Sequence, residues 1–244
     1  MAVRVNSLAG AAGICDVEAV RNLFVSSGVR PHAVVLPKVE NADTVLRCVD
    51  LLGDAQAVRI WAMIETPLGV LNADRIAGAH SRMQCLVAGT ADLTKDLHAQ
   101  HTPDRMPMLY SLSRIVLSAR AFGLVALDGV HLNLSDDEGF ARSCIQGRQM
   151  GFDGKTLIHP KTIMAANEAF SPSAAELLAA QRVIDAHRAA MTQGSGVVVV
   201  DGRLVEHLHV QDALRIQSIA AHIAAEPVAT SSVMSPREKF PVAL

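Results

Sequence analysis

Short runs of apolar, often β-branched residues alternate along this chain with longer stretches in which apolar positions recur at helical spacing. The run AVVL at 33–36 is apolar at every position, as expected of a strand covered on both faces, and Pro37 ends it. Comparable runs predict strands at 3–5, 60–64, 85–88, 125–127 and 156–158. Helical patterns occupy 16–25, 41–52, 70–79, 110–122, 136–150 and 161–170. Two of these open on strong start signals: Asn41 with Asp43, and Asp136, supply side-chain oxygens where the first amides of a helix lack partners. Repeated strand–helix units require crossovers, and crossovers make the strands parallel. The pattern therefore predicts an α/β fold with six βα units, where a closed (β/α) barrel has eight.

Beyond the last unit the pattern changes. A long helix over 174–191, with Ser171 and Ser173 available as caps, is followed by glycines at 194 and 196. Next comes a hairpin signal: Val197 to Val200, a turn at Asp201 and Gly202, then Leu204 and Val205. Helical spacing returns over 211–224, and the Pro- and Ser-containing stretch 227–244 has no apolar period. The expected organisation is a partial barrel over 1–192, a small lid over 193–226 and a tail over 227–244.

Composition narrows the partners. The chain has 244 residues, half of them hydrophobic, enough to bury one substantial core. Its 22 Lys and Arg against 24 Asp and Glu are scattered, which leaves no basic stripe for nucleic acid or an anionic membrane. The longest apolar runs fall well short of the roughly 20 residues that span a bilayer. The first ten residues carry no apolar signal core, so a cytoplasmic location is expected. Cys15, Cys48, Cys85 and Cys144 form no CxxC pair and read as reduced filler.

In a parallel α/β barrel, chemistry gathers at the carboxyl ends of the strands, where the loops converge. Glu65 follows the run ending at Ile64, and Asp92 lies just beyond the run ending at Ala88, so both belong to that rim. Two carboxylates there can hold a hard divalent cation through oxygen. Each also has a plainer reading, Glu65 capping the next turn and Asp92 capping a helix that starts near Leu93. Spacing alone leaves both open. Asp128, at another strand end, either orients a ligand or caps the turn at Gly129. Lys38 reads as a solvated lysine beside Glu40, with approach to the phosphates of a ligand as the alternative. His159 reads as a structural group, and His207 and His209 as members of a surface loop.

Six segments in order alter this balance: LPKVEN at 36–41, IETPLGVLNA at 64–73, GTADL at 89–93, LDGVHL at 127–132, GFDGKTLIHP at 151–160 and VVVVDGRLVE at 197–206. Together they resemble the citrate lyase β-subunit and malyl-CoA lyase family, within the HpcH/HpaI aldolase superfamily. The resemblance runs from Arg4 to about Ala224. It implies a TIM-type (β/α) barrel with a small C-terminal lid and a magnesium ion held by Glu65 and Asp92. It also implies an arginine, Arg4, that grips the substrate carboxylate or keto-acid oxygens. The implied reaction is reversible carbon–carbon cleavage of a 3-hydroxyacyl-CoA of the malyl, citramalyl or citryl type. A homotrimer in which the lid reaches a neighbour's barrel mouth is implied as well.

Two departures stand out. Family members carry two further βα units ahead of the RVN strand, an arginine-rich strand and a DLEDAV-like one, and neither is in this sequence; the expectation is a barrel lacking them. The lid aspartate that follows the DGR turn in such lyases is here a glutamate, Glu206. Two other functions therefore stay beside the lyase: a metal-dependent aldolase acting on a free hydroxy-keto acid, and a catalytically silent subunit that binds an acyl-CoA.

Overall fold

A computed structural model describes residues 1–26, 29–192 and 198–225. The chain divides into two compact units, the first Met1–Phe170 and the second beginning at Ser171.

The first unit is built on one six-stranded sheet whose spatial order equals its chain order: β1 (Ala2–Arg4), β2 (Ala33–Leu36), β3 (Arg59–Ile64), β4 (Met83–Ala88), β5 (Val125–Asp128) and β6 (Gly154–Lys155). Every neighbouring pair is parallel, so all strand carboxyl ends share one rim. The sheet curls into a half-barrel with helices over it, matching the six strands expected from the apolar runs. The helices are α1 (Ala11–Ser26), α2 (Ala42–Leu52), α3 (Pro67–Leu71), α4 (Ala73–Ala77), α5 (Thr90–Asp96), α6 (Leu109–Ala121), α7 (Asp137–Gln149) and α8 (Ile163–Phe170). Val34, Leu36, Ile60, Ile64 and Leu86 from the strands meet Val17, Val45, Leu52, Ile76, Leu112 and Ile115 from the helices in one continuous core. Burying an aliphatic side chain of this kind contributes about 1.5–3 kcal/mol.

The expected caps form. Asn41 Oδ1 accepts from Thr44 N at 3.0 Å ahead of α2, and Asp136 Oδ1 accepts from Gly139 N at 2.8 Å ahead of α7. Several boundaries differ from the sequence reading. The helix expected over 70–79 is two short helices meeting at Asn72, whose side chain donates to Glu40 O at 2.9 Å. The sixth strand sits at Gly154–Lys155 rather than 156–158, because Leu127 and Asp128 of β5 pair there. The β-branched segment after it supplies one rung, Thr156 N to Asp128 O at 2.9 Å, and then turns away. Helix α5 begins at Thr90, ahead of the start near Leu93 considered for it.

The second unit contains α9 (Ala174–Thr192), a hairpin of β7 (Val198–Val200) and β8 (Arg203–Val205), and α10 (His207–Ala225). Helix α9 opens on a capping box: Ser173 Oγ accepts from Glu176 N at 3.2 Å and Glu176 Oε2 accepts from Ser173 N at 2.8 Å. The hairpin turn needs positive φ at both centres, and Asp201 (50°) and Gly202 (76°) supply it. Ala180 and Ile184 of α9 pack against Ala213 of α10, with Val183 and Ile216 beside them. Helix α9, which the sequence pattern groups with the barrel through residue 192, thus belongs to the same compact unit as the hairpin and α10. Helix α10 also starts four residues before the predicted 211. Residues 193–197 of the expected linker and hairpin, and the expected tail over 227–244, lie outside the described residues. Among the described residues, no helix is long and apolar enough to cross a membrane.

Candidate functional site

The register between β3 and β4 pairs Ile64 with Ala88, so Glu65 and Gly89 leave the sheet side by side. A β-carbon at Gly89 would lie 2.2 Å from Glu65 Cβ and 2.6 Å from Glu65 Oε2. Glycine at 89 is therefore what lets the glutamate lie across the end of β4. Glu65 itself is only 4% exposed. The cap of the following helix is its neighbour: Thr66 Oγ1 accepts from Gly69 N at 3.1 Å. The plainer reading of Glu65 as a cap does not hold, and its carboxylate turns instead to the end of β2. There the Lys38 backbone N–H donates to Glu65 Oε1 at 2.8 Å.

Lys38 has a φ of 51°, in the left-handed region that costs a non-glycine residue about 1 kcal/mol or more. That backbone turn aims the amide at Glu65. Its side chain places Nζ 2.5 Å from Asp92 Oδ2. Asp92 is the third residue of α5, so its carboxylate stands at a helix amino end, where negative charge is favoured. It caps nothing, which removes its plainer reading too. Lys38, read from sequence as a solvated lysine beside Glu40, is thus half-exposed yet joined to both rim carboxylates.

Burial pushes the Glu65 carboxyl above its ordinary value, and Asp92 adds to the effect; the Lys38 amide and the charges of Lys38 and Arg4 oppose it. The Lys38 hydrogen bond holds Asp92 below its ordinary value, with Arg4 contributing. Arg4 ends β1 and lines an open cleft of about 540 Å³ together with Asn6, Ser7, Pro37, Lys38 and Glu65. Arg4, Glu65 and Asp92 therefore share one rim of the first unit. Glu206 belongs to the second unit, where it is exposed and immediately precedes α10; its N–H donates to His209 Nδ1 at 2.9 Å. His207 and His209 lie in the first turn of α10 and not in a loop.

A second charged centre lies on the same rim at β5 and β6. Asp128 is completely buried and receives both Arg105 Nη1, at 2.8 and 2.7 Å to its two oxygens, and Lys155 Nζ at 2.9 Å. Gly129 N also donates to it at 2.7 Å. Of the two readings left open for Asp128, the turn contact is present, but the two cations dominate its surroundings. Sequence reasoning singled out neither Arg105 nor Lys155. Lys155 stands in the GFDGKTLIHP segment, directly after the strand glycine, and that position was the available signal; Arg105, in a loop, gave none. His159 Nδ1 accepts from Lys161 N at 3.1 Å, the structural role expected of it.

Glu65 and Asp92 are two hard oxygen donors, and Lys38 shows that a cation sits stably against Asp92. No group of three or more His, Cys, Asp or Glu residues that could hold a metal occurs among the described residues. A cation here would complete its shell from water and substrate, which suits magnesium better than zinc. The donor set fits the ion. Asp128 does not, since two protein cations already occupy its oxygens.

Comparison with known proteins identifies the family. Residues 1–160 match the model of the HpcH/HpaI aldolase/citrate lyase family. A (3S)-malyl-CoA thioesterase of Cereibacter sphaeroides (strain ATCC 17025 / ATH 2.4.3) is 44% identical over 223 residues, covering 91% of this chain and 75% of the relative. The citrate lyase subunit beta of Leuconostoc mesenteroides subsp. cremoris is 36% identical over 90% of this chain and 74% of its own length. The crystal structure of protein CitE from Mycobacterium tuberculosis, in complex with magnesium, acetoacetate and coenzyme A, superposes with a TM-score of 0.71 at 30% identity. It covers 90% of this chain and 78% of that one. The chain belongs to the HpcH/HpaI aldolase/citrate lyase family and is an enzyme of the CoA-ester lyase type.

Proposed function

We propose that this protein cleaves the carbon–carbon bond of a 3-hydroxyacyl-CoA of the malyl type, with magnesium held by Glu65 and Asp92. The observation that carries this reading is the convergence of two carboxylates from adjacent strand ends on one residue, Lys38, beside a cleft that Arg4 lines. Magnesium bound there would supply Lewis-acid polarisation of the oxygen that becomes the keto-acid carbonyl. Arg4 presents a guanidinium fork able to grip the substrate carboxylate with two parallel hydrogen bonds. Lys38 balances the charge of Asp92 and, through its amide, fixes the orientation of Glu65. The 3-hydroxyl gives up its proton as its oxygen becomes the carbonyl, and the carbon–carbon bond that breaks leaves its electron pair on the thioester enolate. The enolate takes up a proton at carbon, so no net proton is released. Glu206 enters the proposal as the carboxylate that exchanges that proton, acting in the site of a neighbouring copy of a trimer. Mixing Arg4→Ala with Glu206→Ala chains should then restore some activity, and absence of recovery despite subunit exchange would remove the shared lid.

Thioester hydrolysis is the second reading, and the 44% identity to a (3S)-malyl-CoA thioesterase favours it. One assay separates the two. With malyl-CoA as substrate, carbon–carbon cleavage releases glyoxylate and acetyl-CoA without free thiol, whereas hydrolysis releases malate and coenzyme A as thiol. Magnesium-dependent glyoxylate formation, abolished in Glu65→Gln, is expected. Thiol release without glyoxylate would transfer the site to hydrolysis, and cleavage unaffected by a chelator would remove the metal.

A further inference from the structure

The rim has a second concavity that the reading above does not use. A cavity of about 260 Å³ lies between the loop carrying Thr102 and Arg105 and the loop carrying His131 and Asn133, with Thr90 and Lys155 among its other walls. Two of its lining polar atoms are buried without a hydrogen-bond partner: Arg105 Nη2 and His131 Nε2. A buried donor without a partner costs about 1–3 kcal/mol, more when charged, and so marks a place where something is missing.

Charge counting points the same way. Arg105 and Lys155 face a single buried carboxylate, Asp128, whose oxygens also receive the Gly129 amide. Asp136, a carboxylate on the cavity wall, accepts from Gly139 N at 2.8 Å and keeps its other oxygen 3.9 Å from His131 Nε2, beyond hydrogen-bonding length. Burial also pushes both Lys155 and His131 below their ordinary values, against the raising effects of Asp128 and Asp136 respectively. The cavity thus offers one guanidinium N–H and one imidazole nitrogen without partners, beside two buried cations that share one buried carboxylate, Asp128.

We propose that this cavity binds an oxyanion, a ligand carboxylate or phosphate group, held by Arg105 Nη2 and His131. The space has room for several water volumes of about 30 Å³ each, enough for the anionic group and a short carbon arm. Arg105 is already oriented by its contacts to Asp128 and by Gln146 Oε1 at 2.6 Å, so little side-chain freedom is left to lose on binding. The inference does not depend on the metal reading, because none of these groups is among the residues assigned to it.

Isothermal titration of the metal-free, full-length protein with inorganic phosphate and, separately, with succinate tests the proposal. At least one of the two should bind saturably to wild type and to Arg4→Ala, and binding should weaken at least roughly tenfold in both Arg105→Gln and His131→Phe. Arg105→Gln removes a partner of buried Asp128, so circular dichroism checks its fold; if it unfolds, His131→Phe decides alone. Titration in the presence of coenzyme A identifies the source. Displacement assigns the oxyanion to an arm of the thioester ligand, and undisturbed binding assigns it to a separate small anion; either keeps the site. No saturable binding of either anion, binding that His131→Phe leaves unchanged, or binding that Arg4→Ala abolishes would each overturn it.

Discussion

Two carboxylate centres stand on the rim of the same sheet, and they are built to opposite ends. Asp128 is wholly enclosed, and its oxygens are taken by a guanidinium, an ammonium and an amide. Asp92 is 43% exposed and meets one lysine that is itself 49% exposed, while Glu65 beside it is held by a single backbone amide. The carboxylate of the first centre is closed to a further cation; the second can release a flexible lysine and admit one. Position at a strand end is therefore not sufficient for a metal site. What separates the two is how many of the oxygens the protein has already spent.

The largest expected effect breaks the closed centre. Asp128→Ala leaves Arg105 and Lys155 buried without their counter-charge and should destabilise the protein by about 3–5 kcal/mol in urea unfolding. Glu65→Gln, at the open centre, should change stability by less than about 1.5 kcal/mol, the scale of one net hydrogen bond. Equal losses for the two variants would erase the distinction between the centres.

A smaller effect sharpens the geometry. Gly89→Ala places a methyl group where Glu65 now lies, and relief requires the glutamate or the end of β4 to move. A destabilisation of about 1–3 kcal/mol is expected, together with weaker magnesium binding. Full magnesium affinity in a folded Gly89→Ala protein would show that the position of Glu65 across Gly89 is not what the ion needs.

The pH dependence is smaller again but has a defined sign. The folded-state pKa of Glu65 is raised. Its contribution to stability is therefore complete below its ordinary value of 4.5 and is lost as pH rises through the folded value. Magnesium needs the ionised form, so its affinity should change in the opposite sense, rising over the same interval. Unfolding measured with and without magnesium across mildly acidic pH should show the two slopes diverging in wild type and running together in Glu65→Gln.

Much of this was legible in the residues. Runs such as AVVL and RIWAMI are apolar enough to place the strands they form, and the parallel order then puts Glu65 and Asp92 on one rim with Arg4. The sixth strand was displaced because pairing with Leu127 and Asp128 selects Gly154 and Lys155, overriding the β-branched residues that follow. Lys38 could not be read as the link between the two carboxylates, since that depends on its left-handed backbone turn, which no propensity assigns to a lysine. Arg105 was hidden for a similar reason: its partner, Asp128, is 23 residues away in sequence and meets it only through the fold.

The central claim is that Glu65 and Asp92 together form a magnesium site. Calorimetric titration of magnesium into the chelator-treated wild type, Glu65→Gln and Asp92→Asn tests it most directly. One saturable site per chain is expected in wild type, with a loss of at least roughly tenfold in affinity in each variant and both still folded. Undiminished magnesium binding in both variants, or no binding by a folded wild type even with a substrate-like keto acid present to complete the shell, would contradict it.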